Sequence, residues 1–381
     1  MLLAHKIELR PTAEQAEYLD KACGCRRHAF NHLLAHFKQN GMKWGKKAAL
    51  AKYNNLRQEF AWYSEVSQRV TRNAIDDLDN AFKHFFRRVK AKKKGEKAGF
   101  PQFKKRGFGD SFSLREKPKF DVAGRTLRIE KLKTRIKMRE ELRFVGTPCQ
   151  VTISKKAGKY FASILVETID YNPHPDKQAE SVGVDFGIKD LAVCSNGQTF
   201  VANQKLKNNL KKLARKQRRL SRKVKGSNRY VKAKQAVAKL HYRISNQRKA
   251  ALHKVSDYLT KHFNIITIED LAVSNMLKNR KLSRAIADCG FYELRRQIEY
   301  KAKLRDCHVV IADRFFASSK TCACCGKKNE NLTLSDRQWQ CECGASHNNR
   351  DALAAFNLDN YGRDSLQLDF KPYTRAKSDT A

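Results

Sequence analysis

Two sets of side chains in this chain have the types and spacing to hold metal ions. The first is a cysteine module, Cys322-x-x-Cys325 followed by Cys341-x-Cys343, the two pairs separated by fifteen residues. Each pair runs into a glycine, Gly326 or Gly344, and a tight turn of that kind aims two thiolates at one ion. Four thiolates complete a closed tetrahedral Zn²⁺ site with no open position, so zinc held there is structural. Cys324 is then a spare thiol, and His347 is an alternative ligand. Five of the eleven cysteines lie between Cys322 and Cys343, which is metal-site usage in a reducing cytoplasm and not a disulfide framework.

The second set is three acids far apart in the chain. Asp185 closes the apolar run Val182-Gly183-Val184, and Glu269 closes Ile265-Ile266-Thr267-Ile268. Asp351 opens the helical run Ala352-Leu353-Ala354-Ala355-Phe356. Singly, each has a structural reading: a turn residue, a helix N-terminal acid, an N-cap. Together, two acids at strand ends and one on a late helix can meet at one point of a central sheet. Their oxygens would suit two Mg²⁺ or Mn²⁺ ions. Two such ions about 3.5–4 Å apart activate water and stabilise the leaving oxygen of a phosphodiester. Asp190 and Asp270 read as turn or structural acids. Arg350 suits either phosphoryl charge or a structural salt bridge.

The rest of the composition fits that chemistry. Lys and Arg number 79 against 38 Asp and Glu, a formal net charge of +41. Such an excess repels itself unless a polyanion neutralises it, so nucleic acid is the expected partner. No apolar run approaches the roughly 20 residues that span a bilayer. The start, Met1 to Lys6, turns polar too soon for a secretory signal. A cytoplasmic protein is expected.

The elements that must position these groups fall into an α+β, multidomain pattern. A strand over Ala4–Arg10 stops at Pro11-Thr12, and a helical region follows to about residue 98. Ala16, Leu19, Ala22 and Cys23 share one face there, and Val70, Ala74, Leu78, Phe82 and Phe85 another. The run Arg87 to Lys94, Lys90 included, is dense enough in charge for phosphate contact. Period-two segments from about 108 to 169, with a hairpin turning at Lys155–Lys159, predict a small antiparallel barrel. Residues 171–180 read as a linker. Strands then alternate with helices, as in an α/β domain. The basic stretch 203–262 breaks at Lys225-Gly226-Ser227 and predicts two antiparallel helices. One further helix is expected around 284–305. Ser318, Ser319, Lys320, Lys327, Lys328 and Arg337 suit phosphate contacts around the cysteine module, and Trp339 reads as packing beneath it.

Several of these stretches, in order, resemble the TnpB family of IS200/IS605-type transposons, relatives of Cas12 effectors. The resemblance rests on Val182-Gly183-Val184-Asp185-Phe186-Gly187, Ile268-Glu269-Asp270-Leu271, Ser318-Ser319-Lys320-x-Cys322 and Arg350-Asp351 with Ala354-Ala355-x-Asn357. Gly99-Phe100-Pro101-x-Phe103-Lys104, Leu220-Ser221-Arg222, Gly226-Ser227 and His253-Lys254 add to it. It implies a wedge-type barrel from residues 1–10 and 99–170 and a helical recognition insert at 11–98. It implies a RuvC/RNase H-like nuclease from 181–317 and 344–371, interrupted by a zinc finger at 318–343, with a tail at 372–381. It assigns Asp185, Glu269 and Asp351 as the catalytic acids. It implies a transposon-derived guide RNA and cleavage of double-stranded DNA beside a short flanking motif. Lys211, Arg215, Arg218, Arg219 and Arg222 are then the expected contacts to a guide–target duplex, with Lys90 and Lys320 further nucleic-acid candidates. The family's H-D-R-D-x-N-A-A stretch reads here His347-Asn348-Asn349-Arg350-Asp351-Ala352-Leu353-Ala354-Ala355, with Asn349 in place of an acid and Leu353 in place of an Asn. An inactive RNA-guided binder, a strand-transfer transposase and a general RNA-binding protein are the competing readings.

Overall fold

A computed structural model describes residues 1–39, 43–91, 98–115, 118–168, 177, 179–202, 204–333 and 336–371. The expected tail, the Lys92–Lys94 end of the first basic run and most of the expected linker lie outside them. Ala179 and Glu180, assigned to that linker from sequence, belong instead to a strand. The chain forms two compact units, residues 1–171 and 172–381.

The first unit opens with β1 (Leu2–Arg10) and α1 (Ala13–Gln39). Thr12 and Gln15 cap α1 reciprocally: the Thr12 N–H donates to Gln15 Oε1 at 3.0 Å, and the Gln15 N–H to Thr12 Oγ1 at 3.3 Å. Then come α2 (Lys46–Glu59), a 3₁₀ turn (Ala61–Glu65) and α3 (Gln68–Lys90). Strands β2 (Ser111–Leu114), β3 (Phe120–Ala123), β4 (Thr126–Ile129), β5 (Ile136–Met138), β6 (Gly146–Lys156) and β7 (Lys159–Thr168) follow. They join β1 in one barrel-like antiparallel sheet of order β2-β6-β7-β1-β5-β4-β3. The β6–β7 hairpin closes through Ala157 and Gly158, both with positive φ, the handedness that matches strand twist. Leu19, Ala22 and Cys23 of α1 sit in the barrel's core, and Ala29 to Phe37 pack with Ala74, Leu78 and Phe82 of α3.

The second unit is built on β8 (Ala179–Asp185), β9 (Asp190–Cys194), β10 (Thr199–Val201), β11 (Phe263–Glu269) and β12 (His308–Ala312), in the order β10-β9-β8-β11-β12. β8, β11 and β12 run parallel, and β9 pairs antiparallel with both β8 and β10. Val182 and Val184 of β8 and Ile266 and Ile268 of β11 are completely buried, the continuous apolar pattern of strands covered on both faces. The basic stretch is the expected helix pair, α4 (Gln204–Ser221) and α5 (Asn228–His262), joined through Gly226 at φ +90 and capped by Ser227. Leu213, Val237, Leu240 and Ile244 form the seam between them. After the short α6 (Val273–Met276), the single helix expected around 284–305 is two, α7 (Ser283–Cys289) and α8 (Phe291–Arg305). Gly290, left-handed at φ +68, ends the first and starts the second. The two-residue strands β13 (Trp339–Gln340) and β14 (Ser346–His347) belong to the cysteine module, and α9 (Arg350–Ser365) closes the unit.

Helix α9 lies directly on β8 and β11. A methyl group at Gly183 would fall 2.0 Å from the Ala355 carbonyl oxygen and 2.3 Å from the Asp359 nitrogen. One at Gly362 would fall 1.8 Å from Thr267 Oγ1. Both contacts are impossible, so glycine at these positions sets the helix-to-sheet distance. Gly183→Ala must push α9 off the sheet. Thermal or urea unfolding should show a loss of roughly 3 kcal/mol or more, beyond an ordinary overpacked site.

Candidate active site and metal centre

Asp185 and Glu269 end neighbouring parallel strands. Val184 of β8 pairs with Ile268 of β11, so the two acids emerge side by side at the carboxyl edge of the sheet. Asp351 arrives from the first turn of α9, the helix that glycine lets lie on those strands. Asp351 is not the N-cap. That role belongs to Asn349, whose side-chain oxygen accepts from the Asp351 and Ala352 N–H groups at 3.0 and 3.1 Å. The departure at 349 therefore keeps a good capping residue, and Leu353 is buried in the packed face.

The three acids meet electrostatically. Burial, then the charges of Glu269 and Asp351, push the Asp185 carboxyl up to about 8, against the opposing pull of Arg350 and Arg337. Burial also raises Glu269, offset by a hydrogen bond from the Ser318 hydroxyl to Glu269 Oε1 at 2.7 Å. Arg337 Nη1 stands 3.4 Å from Asp351 Oδ1. Burial and mutual repulsion that hold one carboxyl protonated near neutral pH are what a bound cation relieves. Asp185, Glu269 and Asp351 are thus the residues that could hold a divalent cation here.

Among the described residues, one group of three or more His, Cys, Asp or Glu has all its donor atoms within 4.8 Å of one another: Cys322, Cys325, Cys341 and Cys343. Cys322 and Cys343 sulfurs are 3.7 Å apart, and Cys325 and Cys341 sulfurs 3.6 Å. A tetrahedron with Zn–S bonds of about 2.3 Å has edges of about 3.8 Å, so the four fit one zinc. Cys324 is exposed and outside this group, and its backbone N–H lies 3.4 Å from Cys322 Sγ. The buried His347 places Nε2 3.3 Å from Cys322 Sγ, where an N–H would steady a thiolate. Trp339 packs against the His347 ring, centroids 4.4 Å apart, in keeping with its reading as packing beneath the module.

Other residues proved to have different surroundings from those expected. Ser318, read as a phosphate contact, is buried and holds Glu269. Asn357 donates to the Ser318 and Thr321 carbonyls at 2.7 and 2.8 Å, fixing that segment on α9. Arg350 is buried and donates to the Thr333 and Asp336 carbonyls and to Ser319 Oγ, so its guanidinium knits the cysteine module to α9. No sequence signal distinguished these roles, because each depends on which polar group lies opposite. Asp270 is structural, as expected: it pairs with Arg295 at 2.7 Å and with Arg314. Lys211, Arg215, Arg218, Arg219 and Arg222 are all exposed on α4 and just beyond it, and Lys90 is exposed at the end of α3. From Leu191 to Ser256 there is no acidic residue, so α4 and most of α5 are strongly cationic, though Arg248 pairs with Asp288 and Lys261 with Asp257. Lys320 is half-buried, its ammonium 3.3 Å from the Glu330 carbonyl.

Comparison with known proteins gives this geometry a family. A protein of Streptomyces pristinaespiralis, named "Putative RNA-guided DNA endonuclease", is 34% identical over 364 residues, covering 93% of this chain and 88% of that one. A protein of Escherichia coli K12, "Putative RNA-guided DNA endonuclease InsQ", is 34% identical over 94% of this chain and 91% of its own length. The profile OrfB_IS605, described as "Probable transposase", matches residues 163–280. The chain belongs to the TnpB family. The TnpB link to Cas12 proteins appears in residues 291–358, which match the "Cas12f1-like, TNB domain" and include the cysteine module. Residues 1–42 match a "Helix-turn-helix domain"; in this TnpB protein they form β1 and the single helix α1. A solved Cas12f1–sgRNA–target DNA complex aligns over 94% of this chain at 15% identity and a TM-score of 0.36. No helix among the described residues is long and apolar enough to cross a membrane.

Two outcomes test the site. Asp185, raised from its ordinary 3.8 to about 8, stays protonated in the metal-free fold at pH values where the unfolded chain has already ionised it. Folding then takes up a proton, and stability falls as pH rises through that window. In buffer free of Mg²⁺ and Mn²⁺, with zinc left in place, Asp185→Asn should therefore melt above wild type at pH 8 and lose that advantage at pH 4. Cys343→Ser should lose bound zinc by elemental analysis and become protease-sensitive first within 318–347, because zinc binding energy is folding energy here.

Proposed function

We propose that this TnpB protein is an RNA-guided, divalent-metal-dependent DNA endonuclease that hydrolyses phosphodiesters at Asp185, Glu269 and Asp351. One observation supports the reading most: in a strongly cationic chain, Asp185 and Glu269 end neighbouring parallel strands, and burial, then the charges of Glu269 and Asp351, raise the Asp185 carboxyl. The names of the two bacterial relatives support the same activity. Two Mg²⁺ or Mn²⁺ ions would supply an activated water and stabilise the leaving oxygen. The chain's own contribution is positioning. Strands β8 and β11 fix Asp185 and Glu269, Ser318 orients the Glu269 carboxylate, and the Asn349 cap sets the turn that carries Asp351. The exposed cations of α4 and α5 would hold the phosphates of a guide–target duplex by shape and charge, while base pairing reads sequence.

In this reading, residues 1–10 and 99–170 act as the wedge and 11–98 as the recognition insert. Residues 181–317 and 344–371 make the RuvC/RNase H-like nuclease, and 318–343 its zinc finger, holding one structural Zn²⁺. The guide is a transposon-derived RNA. One site cuts both strands in turn beside a short flanking motif, leaving 5′-phosphates.

The test is to purify the protein, sequence its bound RNA, and present guide-matched plasmids with randomised flanks and Mg²⁺. A specific RNA and a cut beside one motif are expected. Asp185→Ala should keep RNA and target binding and lose cleavage. Absence of a specific RNA and of guide-matched cutting, or wild-type cutting by Asp185→Ala, overturns the assignment. Strand joining in place of cutting would instead mark a transposase.

A further inference from the structure

Beyond β12 the chain turns through Asp313, Arg314, Phe315 and Phe316 and then reaches Ser318. Both ends of this turn are pinned. The Asp313 N–H donates to the Tyr361 hydroxyl at 3.3 Å, and the Asp313 carboxylate and carbonyl accept from Phe315 and Phe316 at 2.8 and 3.0 Å. The Phe316 ring lies against Tyr361 of α9, centroids 4.7 Å apart. Ser318 ends the turn, buried, with its hydroxyl on Glu269.

Phe315 is left outside. It is 89% exposed, the highest value among the large hydrophobic side chains described. An isolated surface Phe is ordinary, but this one has particular neighbours. Arg314, next in chain, is paired with Asp270, which also holds Arg295. Arg295 is paired in turn with Glu299 at 2.9 Å, so the half-exposed guanidinium of Arg314 is the cation beside the ring. Asp270 directly follows Glu269, and Ser318 lies three residues on from Phe315, a span of at most about 11 Å. Phe315 and Arg314 thus lie close in the fold to Glu269, on a turn too well anchored to fold the ring away.

An exposed aromatic face beside a cation is what unpaired nucleotides bind: the base stacks and the phosphate is neutralised. A duplex keeps its base faces inside and would use the arginine alone. We infer that Phe315 is a stacking platform for an unpaired base of the strand entering the Asp185–Glu269–Asp351 site, with Arg314 beside the adjoining phosphate. The word "entering" rests on the nuclease reading, whereas the stacking itself does not.

The experiment photo-cross-links Asp185→Ala protein, with its bound RNA, to a single-stranded oligodeoxynucleotide carrying 5-iododeoxyuridine, and maps adducts by tandem mass spectrometry. An adduct is expected on Phe315, within the tryptic peptide 315–320, and none from the same sequence as a blunt duplex. Phe315→Leu should abolish that adduct with zinc content and melting unchanged. In cleavage, Phe315→Ala should lower kcat/KM about ten-fold, the scale of one lost base stack, and Phe315→Trp should restore it. No adduct at Phe315, or equal adducts from single strand and duplex, overturns the proposal. Because the cross-link needs no cleavage, an adduct in a protein whose wild type does not cut leaves the platform standing and removes the nuclease assignment. Guide-directed cutting without the adduct does the reverse.

Discussion

The close seat of α9 on β8 and β11 is the contact on which the rest of the second unit depends. Glycine at 183 lets strand and helix backbone meet, and glycine at 362 lets the helix lie against the Thr267 side chain, where no further side chain fits. The helix then contributes along its whole length. Its first turn delivers Asp351, Asn357 holds the entry to the cysteine module, and Tyr361 anchors the turn after β12. Further along, buried Asp359 takes the Ser195 hydroxyl and the Lys371 ammonium, and Arg363 reaches Glu180 and Ser181 at the start of β8. Displacing α9 would therefore disturb the acids, the module and the chain end together.

The acid site and the cysteine module are likewise one construction. Ser318 belongs to the segment leading into the cysteines, yet its hydroxyl orients Glu269. Arg350 precedes Asp351, yet its guanidinium binds carbonyls within the module. Metal at the cysteines would thus stiffen the partners of two acids without touching either. Outer contacts of this kind commonly set how well a metal ligand is presented. The acids themselves stand out against the charge of the whole molecule: in a chain of net +41, burial penalises the ionisation of both Asp185 and Glu269.

The parts that were legible in sequence are those where chemistry and periodicity coincide. Strand ends at Asp185 and Glu269 followed from apolar runs closed by an acid. The cysteine spacing specified a site whose sulfur distances suit zinc. Gly226-Ser227 marked the α4–α5 turn because both residues have local reasons to be there, a positive φ and an N-cap. Other features carried no such mark. One helix was expected around 284–305, and only the left-handed backbone of Gly290 shows that it divides two. β3 and β10 are short, with one fully buried residue each, so their alternation was too brief to register. Ser318 had the composition of a phosphate contact and burial redirected it inward, while Arg350, open to either phosphoryl charge or a structural role, is buried in the structural one.

The sequence by itself determined which residues could do chemistry: three acids at element ends, four thiols at zinc spacing, and a long cationic stretch free of acids. Those depend on residue type and local spacing, which a chain carries before it folds. Only the tertiary structure decided how they act together. Parallel pairing placed Glu269 beside Asp185, and glycine contacts lowered α9 until Asp351 joined them. Opposing partners turned Ser318 and Arg350 into supports, and a pinned turn left Phe315 outside. Each of these is a relation between residues tens to hundreds of positions apart, and such relations exist only once packing has chosen the neighbours.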